Sequence, residues 1–189
     1  MNAGLPERLD KLLNAYSHHY DVQRDTEVEG GRFPASAEFY LRDENRLLTK
    51  EHIYYAVEQH EYVYFFLAEH LDLATLQKQI GLSRQAGLAR VRPHKEHMCS
   101  YVTLVILADT IDPDAAVLLR KTRLRKNYRF TLYGWMEYRI AAMECSTGRF
   151  LSNPAGREVR KTLENNFGNP IKKSKKGKII HEWLGTINH

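Results

Sequence analysis

The segment Tyr101-Val102-Thr103-Leu104-Val105-Ile106-Leu107-Ala108-Asp109 decides the fold. Both of its alternating faces are apolar, and Thr103 is the single interruption. A strand with one face in water alternates polar and apolar residues, whereas a strand with no polar face is covered on both sides. The segment therefore predicts a central strand with packed layers above and below it. The run from Tyr101 to Ala108 is less than half as long as a membrane span.

Downstream, Asp112-Pro113 is predicted to cap and open a third helix running to about Lys126, and residues 133–144 form a long strand. A strand, a helix and a second strand joined at this length imply a right-handed parallel crossover. Ser146-Thr147-Gly148 turns the chain back through Arg149-Phe150-Leu151. Asn153-Pro154 then caps a final helix in which Val159, Leu163 and Phe167 recur every four residues, and Gly168 and Pro170 stop it.

Upstream, Leu5, Leu9, Leu12, Tyr16 and Tyr20 recur at spacings of three and four behind Pro6, which marks a first amphipathic helix. A polar, turn-rich stretch with Gly30-Gly31 and Pro34 follows. Residues 37–42 read as a strand, Asp43-Glu44-Asn45 as a turn and residues 46–49 as a short return. Residues 52–58 and 62–67 read as two further strands across a Gln59-His60-Glu61 turn. Asp72 caps a second helix to about Val91, with Leu73, Leu76, Ile80 and Leu88 or Val91 inward, and Pro93 ends it. Gly81 and Gly87 each weaken that helix by about 1 kcal/mol relative to alanine. The class is α+β: a mixed sheet, an antiparallel meander plus one parallel βαβ crossover, flanked by helices. Residues 1–168 form one domain, and residues 169–189 form a basic C-terminal arm with a short amphipathic element.

Composition sets the outer bounds. With 189 residues, 43% hydrophobic and 27% charged, the chain is an ordinary globular protein and not a disordered one. No charged-then-apolar leader opens it, so a cytoplasmic protein with no membrane partner is expected. Cys99 and Cys145 stand far apart and in no C-x-x-C pair, which fits two buried thiols in a reducing compartment better than nucleophiles. The net charge of +5 hides an asymmetry. Residues 1–72 hold 14 acidic against 7 basic residues, and the remainder holds 21 basic against 9 acidic. Such polarity steers anionic partners or lets copies meet head to tail as a homo-oligomer.

The order of helix, meander, helix and strand resembles the restriction-endonuclease-like nucleases. That resemblance implies two carboxylates holding a metal and a lysine beside the attacked phosphate. Here Asp43 falls in a turn, Glu58-Gln59-His60 has histidine where lysine belongs, and residues 62–67 carry no charge. Asp43, Glu44, Glu58 and Glu61 read instead as solvated hairpin residues, and nuclease activity is not expected. Separately, Pro93-His94-Lys95-Glu96-His97-Met98-Cys99-Ser100-Tyr101, Gly134-Trp135 and Asn153-Pro154-Ala155-Gly156-Arg157-Glu158-Val159 resemble an uncharacterised family of bacterial, clostridial-type proteins up to about Phe167. That resemblance implies no known activity.

Two constellations remain for function. His94, Glu96 and His97 form the densest cluster of candidate ligands, in a loop before the central strand. No cofactor is predicted outright, but imidazole and carboxylate suit zinc or another divalent metal, and a metal-dependent enzyme is one reading. Loop-structuring hydrogen bonds are the plainer one. The second constellation is basic: Arg120, Lys121, Arg123, Arg125 and Lys126, then Arg129, in the third helix, and Lys172, Lys173, Lys175 and Lys176 in the tail. Along a helix these cations share faces and repel unless an anion lies opposite. They read either as a solvated face or as a site for nucleic acid or an acidic partner surface. Any nucleic-acid binding is expected to be backbone-directed and salt-sensitive. No phosphate loop or nucleophile elbow occurs. The principal expectation is a binding or interaction domain with no recognisable catalytic motif.

Overall fold

The computed structural model describes residues 4–45 and 55–168. Within them the elements run α1 (Leu5–Tyr16), β1 (Asp21–Val28), β2 (Gly31–Asn45), β3 (Tyr55–Leu71), α2 (Leu73–Arg90) and β4 (His97–Ile111). They continue with α3 (Pro113–Lys121), β5 (Arg125–Asn127), β6 (Trp135–Glu144), β7 (Arg149–Ser152) and α4 (Arg157–Phe167). No helix among the described residues is long and apolar enough to cross a membrane.

β4 is the central strand that its sequence demands. It lies parallel to β3 on one side and to β6 on the other, in a sheet ordered β1-β2-β3-β4-β6-β5. Its side chains divide between two cores. Val102, Leu104 and Ile106 pack with Leu76 and Ile80 of α2 and Leu119 of α3. Val105 and Leu107 pack with Leu9 and Leu12 of α1 and Val159 and Leu163 of α4. Burying each such side chain contributes about 1.5–3 kcal/mol, which no solvated face could supply. The class is α+β with a mixed sheet between helices, and it contains two parallel crossovers, β3-α2-β4 and β4-α3-β6, where one was expected.

Gly87 has a packing role that helix propensity alone does not show. A Cβ there would stand 2.4 Å from Val102 Cγ1, so the missing side chain is what lets α2 lie close to β4. Asp72 caps α2 as expected, its carboxylate accepting from the Thr75 amide. Leu73, expected inward, is exposed.

Three local expectations are corrected. The stretch after α1 is a strand, β1, joined to β2 by a tight turn at Gly30, whose φ of +83° suits glycine. Asp43-Glu44-Asn45 is not a turn but the end of β2, paired with residues 55–57. Gln59-His60-Glu61 is not a turn either, because β3 runs through it from Tyr55 to Leu71. The physical reason is visible in the chain: residues 55–71 contain no Gly, Pro, Asn or Asp to turn it. The short return at 46–49 and the arm at 169–189, with Lys172, Lys173, Lys175 and Lys176, lie outside the described residues.

The third helix also ends early, at Lys121. Continued to Lys126, it would stack Arg120, Arg123 and Lys126 at like-charge spacing. The chain instead extends, and the Leu124 carbonyl accepts from the Tyr138 amide at 2.9 Å. β5 and β7 then share the outer side of β6, pairing its beginning and its end. Asn153 joins the two halves of that edge. Its side chain accepts from the amides of Ile140 and Gly156 and donates to the carbonyls of Thr122 and Tyr138. The final helix is therefore capped at Gly156, with no side-chain cap.

Candidate functional site

The His94-Glu96-His97 segment meets the beginning of β3, and the centre of the resulting cluster is Glu58. This carboxylate is 8% exposed, against the expectation of a solvated hairpin residue. His94 Nε2 lies 2.9 Å from Glu58 Oε2, His60 Nε2 lies 3.8 Å from it, and Arg42 reaches Oε1 at 3.4 Å. Glu96 meets the other terminal nitrogen of the Arg42 guanidinium, also at 3.4 Å. The rings of Tyr40 and His60 are 4.6 Å apart.

His97 is held differently. Its Nδ1 lies 2.8 Å from the Tyr133 carbonyl and its Nε2 2.8 Å from Ser100 Oγ. A carbonyl only accepts, so Nδ1 carries the proton and Nε2 takes the serine hydroxyl. Both side chains are buried, so this Ser–His pair ties the 128–134 loop to β4. The structure thus brings His94 and His97 to a ring separation of 6.2 Å but points them at different partners. Among the described residues, no group of three or more His, Cys, Asp or Glu side chains is placed to hold a metal ion.

The cluster has a defined acid response. Burial pushes the Glu58 carboxyl up, but the Tyr40 hydroxyl, His94 and Arg42 outweigh it and hold it below its ordinary value. Burial lowers the His60 pKa despite the pull of Glu58. Groups with depressed pKa values bind protons less readily folded than unfolded. Their stabilisation is present above the unfolded values, about 4.3 for Glu and about 6.5 for His, and is lost as pH falls through the folded ones. The Glu58→Gln variant is therefore expected to show a flatter loss of stability between about pH 5 and pH 3 than the parent chain. Denaturant unfolding at stepped pH checks this, and superimposable acid limbs would contradict it.

On the opposite face of β3, Glu61 is likewise buried rather than in a turn. It accepts from Tyr20 and Thr103, each at 2.8 Å, and faces Arg139 at 3.6 Å. Glu58 and Glu61 had one legible signal: a polar stretch without a turn-forming residue belongs to a strand. Cys99 and Cys145 are free, and burial pushes both thiols up, away from nucleophilic character.

The basic stretch forms the other candidate surface, and it is not a helix face. Arg120 and Lys121 close α3, Arg123 follows it, and Arg125 and Lys126 lie on β5, all exposed at the outer edge of the sheet. Arg129 sits in the turn beyond. None of these six cations has a carboxylate partner among the described residues. Three lie over rings instead: Arg125 over Trp135 at 5.0 Å, Lys126 over Tyr128 at 5.4 Å and Arg129 over Tyr133 at 4.9 Å. Of these aromatic neighbours, β5–β6 pairing brings Trp135 to Arg125, while Tyr128 and Tyr133 lie within a few residues of their cations in the chain.

Between β5 and β6 the backbone makes a knob. Arg129, Phe130 and Thr131 all have positive φ, a conformation that costs non-glycine residues about 1–2 kcal/mol each. At its base stands Gly134, with φ +72° and no room for a Cβ, which would fall 2.3 Å from the Met98 carbonyl oxygen. The knob presents Phe130 at 97% exposure beside the cations.

Fold and edge together define a mixed-sheet α+β domain with an exposed basic and aromatic border, in which Glu137 stands opposite Arg125 in the strand register. The chain belongs to the family described as Domain of unknown function (DUF8052), which matches residues 6–165. The expectation of an uncharacterised family is met over nearly the span read from the sequence. Comparison with curated proteins and with solved structures gives no match.

Proposed function

We propose that the chain is a binding module for single-stranded nucleic acid, using the border formed by Arg120 to Arg129 and β5. The observation that supports it is six cations with no carboxylate partner among the described residues, three of them seated on aromatic rings. Uncompensated cations in a row attract phosphates and release counterions. Unpaired bases stack on aromatic rings and on guanidinium planes, whereas paired bases in a duplex do not present those faces. The exposed Phe130 adds a ring with no intramolecular cover. No side chain here is arranged to read base edges, so recognition is of backbone and stacking rather than of sequence.

The test is fluorescence anisotropy with a labelled strand of about 12 nucleotides and the matching duplex. Tighter binding of the single strand, weakening steeply between about 50 and about 200 mM salt, is the expected result. No binding at the lower salt, or binding indifferent to salt, overturns the proposal.

A further inference from the structure

The basic border continues past the strand into a cleft that sequence reading did not single out. Between the end of α3, β7 and the first turn of α4, a cleft of about 350 Å³ gathers Arg120, Arg157 and Arg160, with Ser152 on its wall and Phe150 and Pro154 as apolar lining. Arg157 and Arg160 are three apart on α4 and share one face of it. Arg160 Nε faces the Glu164 carboxylate at 3.1 Å. Arg120 and Arg157 have no carboxylate partner among the described residues, and Glu158 is occupied by Lys161 at 2.8 Å.

Three guanidinium groups against one carboxylate leave a charge of about +2 in one concavity, which matches a phosphate monoester near neutral pH, at about −1.5 to −2. Guanidinium forks bind phosphate oxygens in a bidentate manner, and a serine hydroxyl supplies a further donor. The cleft is larger than a phosphate and partly apolar, so it has room for a sugar or base beside the charge. Asn153 and Pro154 line this cleft and also the neighbouring one bordered by Arg123, Arg125 and Glu137, so the two share a wall.

We propose that Arg120, Arg157 and Arg160 bind the phosphate monoester of a nucleotide. Resting on the reading above, that monoester is the terminal phosphate of a strand lying along β5.

The test uses the full chain and two kinds of probe. Calorimetry compares a nucleoside monophosphate with its unphosphorylated nucleoside. Anisotropy compares one strand carrying a 5′-phosphate, a 3′-phosphate or neither. The cleft predicts binding of the monophosphate and not of the nucleoside. It also predicts a gain of about tenfold for one phosphorylated strand end, and loss of both effects in Arg157→Gln, whose exposed side chain can be replaced without touching the core. A melting temperature equal to that of the parent chain confirms that the variant is folded. Monophosphate binding without any strand binding upholds the cleft and removes the strand. Strand binding indifferent to terminal phosphate, with no monophosphate bound, overturns the cleft and leaves the strand reading standing. Silence from both probes overturns both.

Discussion

Replacing Arg123, Arg125 and Lys126 together by glutamine lowers affinity for a single strand about a hundredfold near 0.1 M salt and makes the slope of log K against log salt shallower by about 2. The figure follows from counterion release. Each phosphate neutralised on a single strand contributes about −0.7 to that slope, so three contacts contribute about −2, and at 0.1 M this is about two decades of affinity. The three side chains are exposed and make no ion pairs among the described residues. The fold should therefore lose no more than about 0.5 kcal/mol. The variant gives up the ring contacts of Arg125 with Trp135 and of Lys126 with Tyr128, and the exposed hydrogen bonds of Arg123 to the Arg120 carbonyl and of Arg125 to Asn127. The measurement is a salt titration of parent and variant under identical conditions. An unchanged slope would mean that phosphates do not lie on this border, and the six cations would then be the charge that keeps a short edge strand from pairing with other chains.

The second large effect falls on stability. Asn153→Ala is expected to destabilise the domain by about 3–4 kcal/mol. The side chain is 1% exposed and serves four backbone groups, the amides of Ile140 and Gly156 and the carbonyls of Thr122 and Tyr138. Each buried group left without a partner costs about 1–3 kcal/mol, and the total stays below their sum because such losses are not additive. Gly156 also retains its bond to the Asn153 backbone carbonyl at 3.1 Å. Alanine removes the tie between β6, the start of α4 and the segment leading to β5 in one change. Denaturant titration would show a lower midpoint at an unchanged m-value. A loss below about 1 kcal/mol would mean that neighbouring groups or water replace the side chain readily. The variant also bears on function, because Asn153 lines both clefts of the basic border.

These two residues sets differ in how much of their role was legible. Asn153 was read as a helix cap from the Asn-Pro pair, a local inference. Its actual partners are far away in the chain, and no local rule can name them. Arg123, Arg125 and Lys126 were recognised as candidate anion ligands, but on a helix. The helix was the wrong element because edge pairing with β6, together with like-charge crowding along a helix, outweighs helix propensity at 122–127. Glu58 and Glu61 depart from expectation for a related reason: a polar stretch reads as a turn by composition, yet it holds no turn-forming residue and continues as strand. His94 and Glu96 lie in the loop before β4, whereas His97, expected in that loop, opens the strand itself. Their partners, Glu58, Arg42, Ser100 and the Tyr133 carbonyl, come from β2, β3, β4 and the loop before β6.

What this amino-acid order determined unaided was its layering. A strand with two apolar faces must be sandwiched, and helices with one apolar stripe must lie against it, whatever the connections. The order also carried the charge imbalance, acidic early and basic late. Tertiary structure decided what that imbalance means in space. The early strands β1, β2 and β3 stack on one side of β4, and β6 with β5 stacks on the other, so a difference along the chain becomes a difference across the sheet. Hydrophobic pattern is a property of each segment and survives in the one-dimensional text. Which cation faces which ring or carboxylate depends on strand register, and register is settled only when distant segments pair.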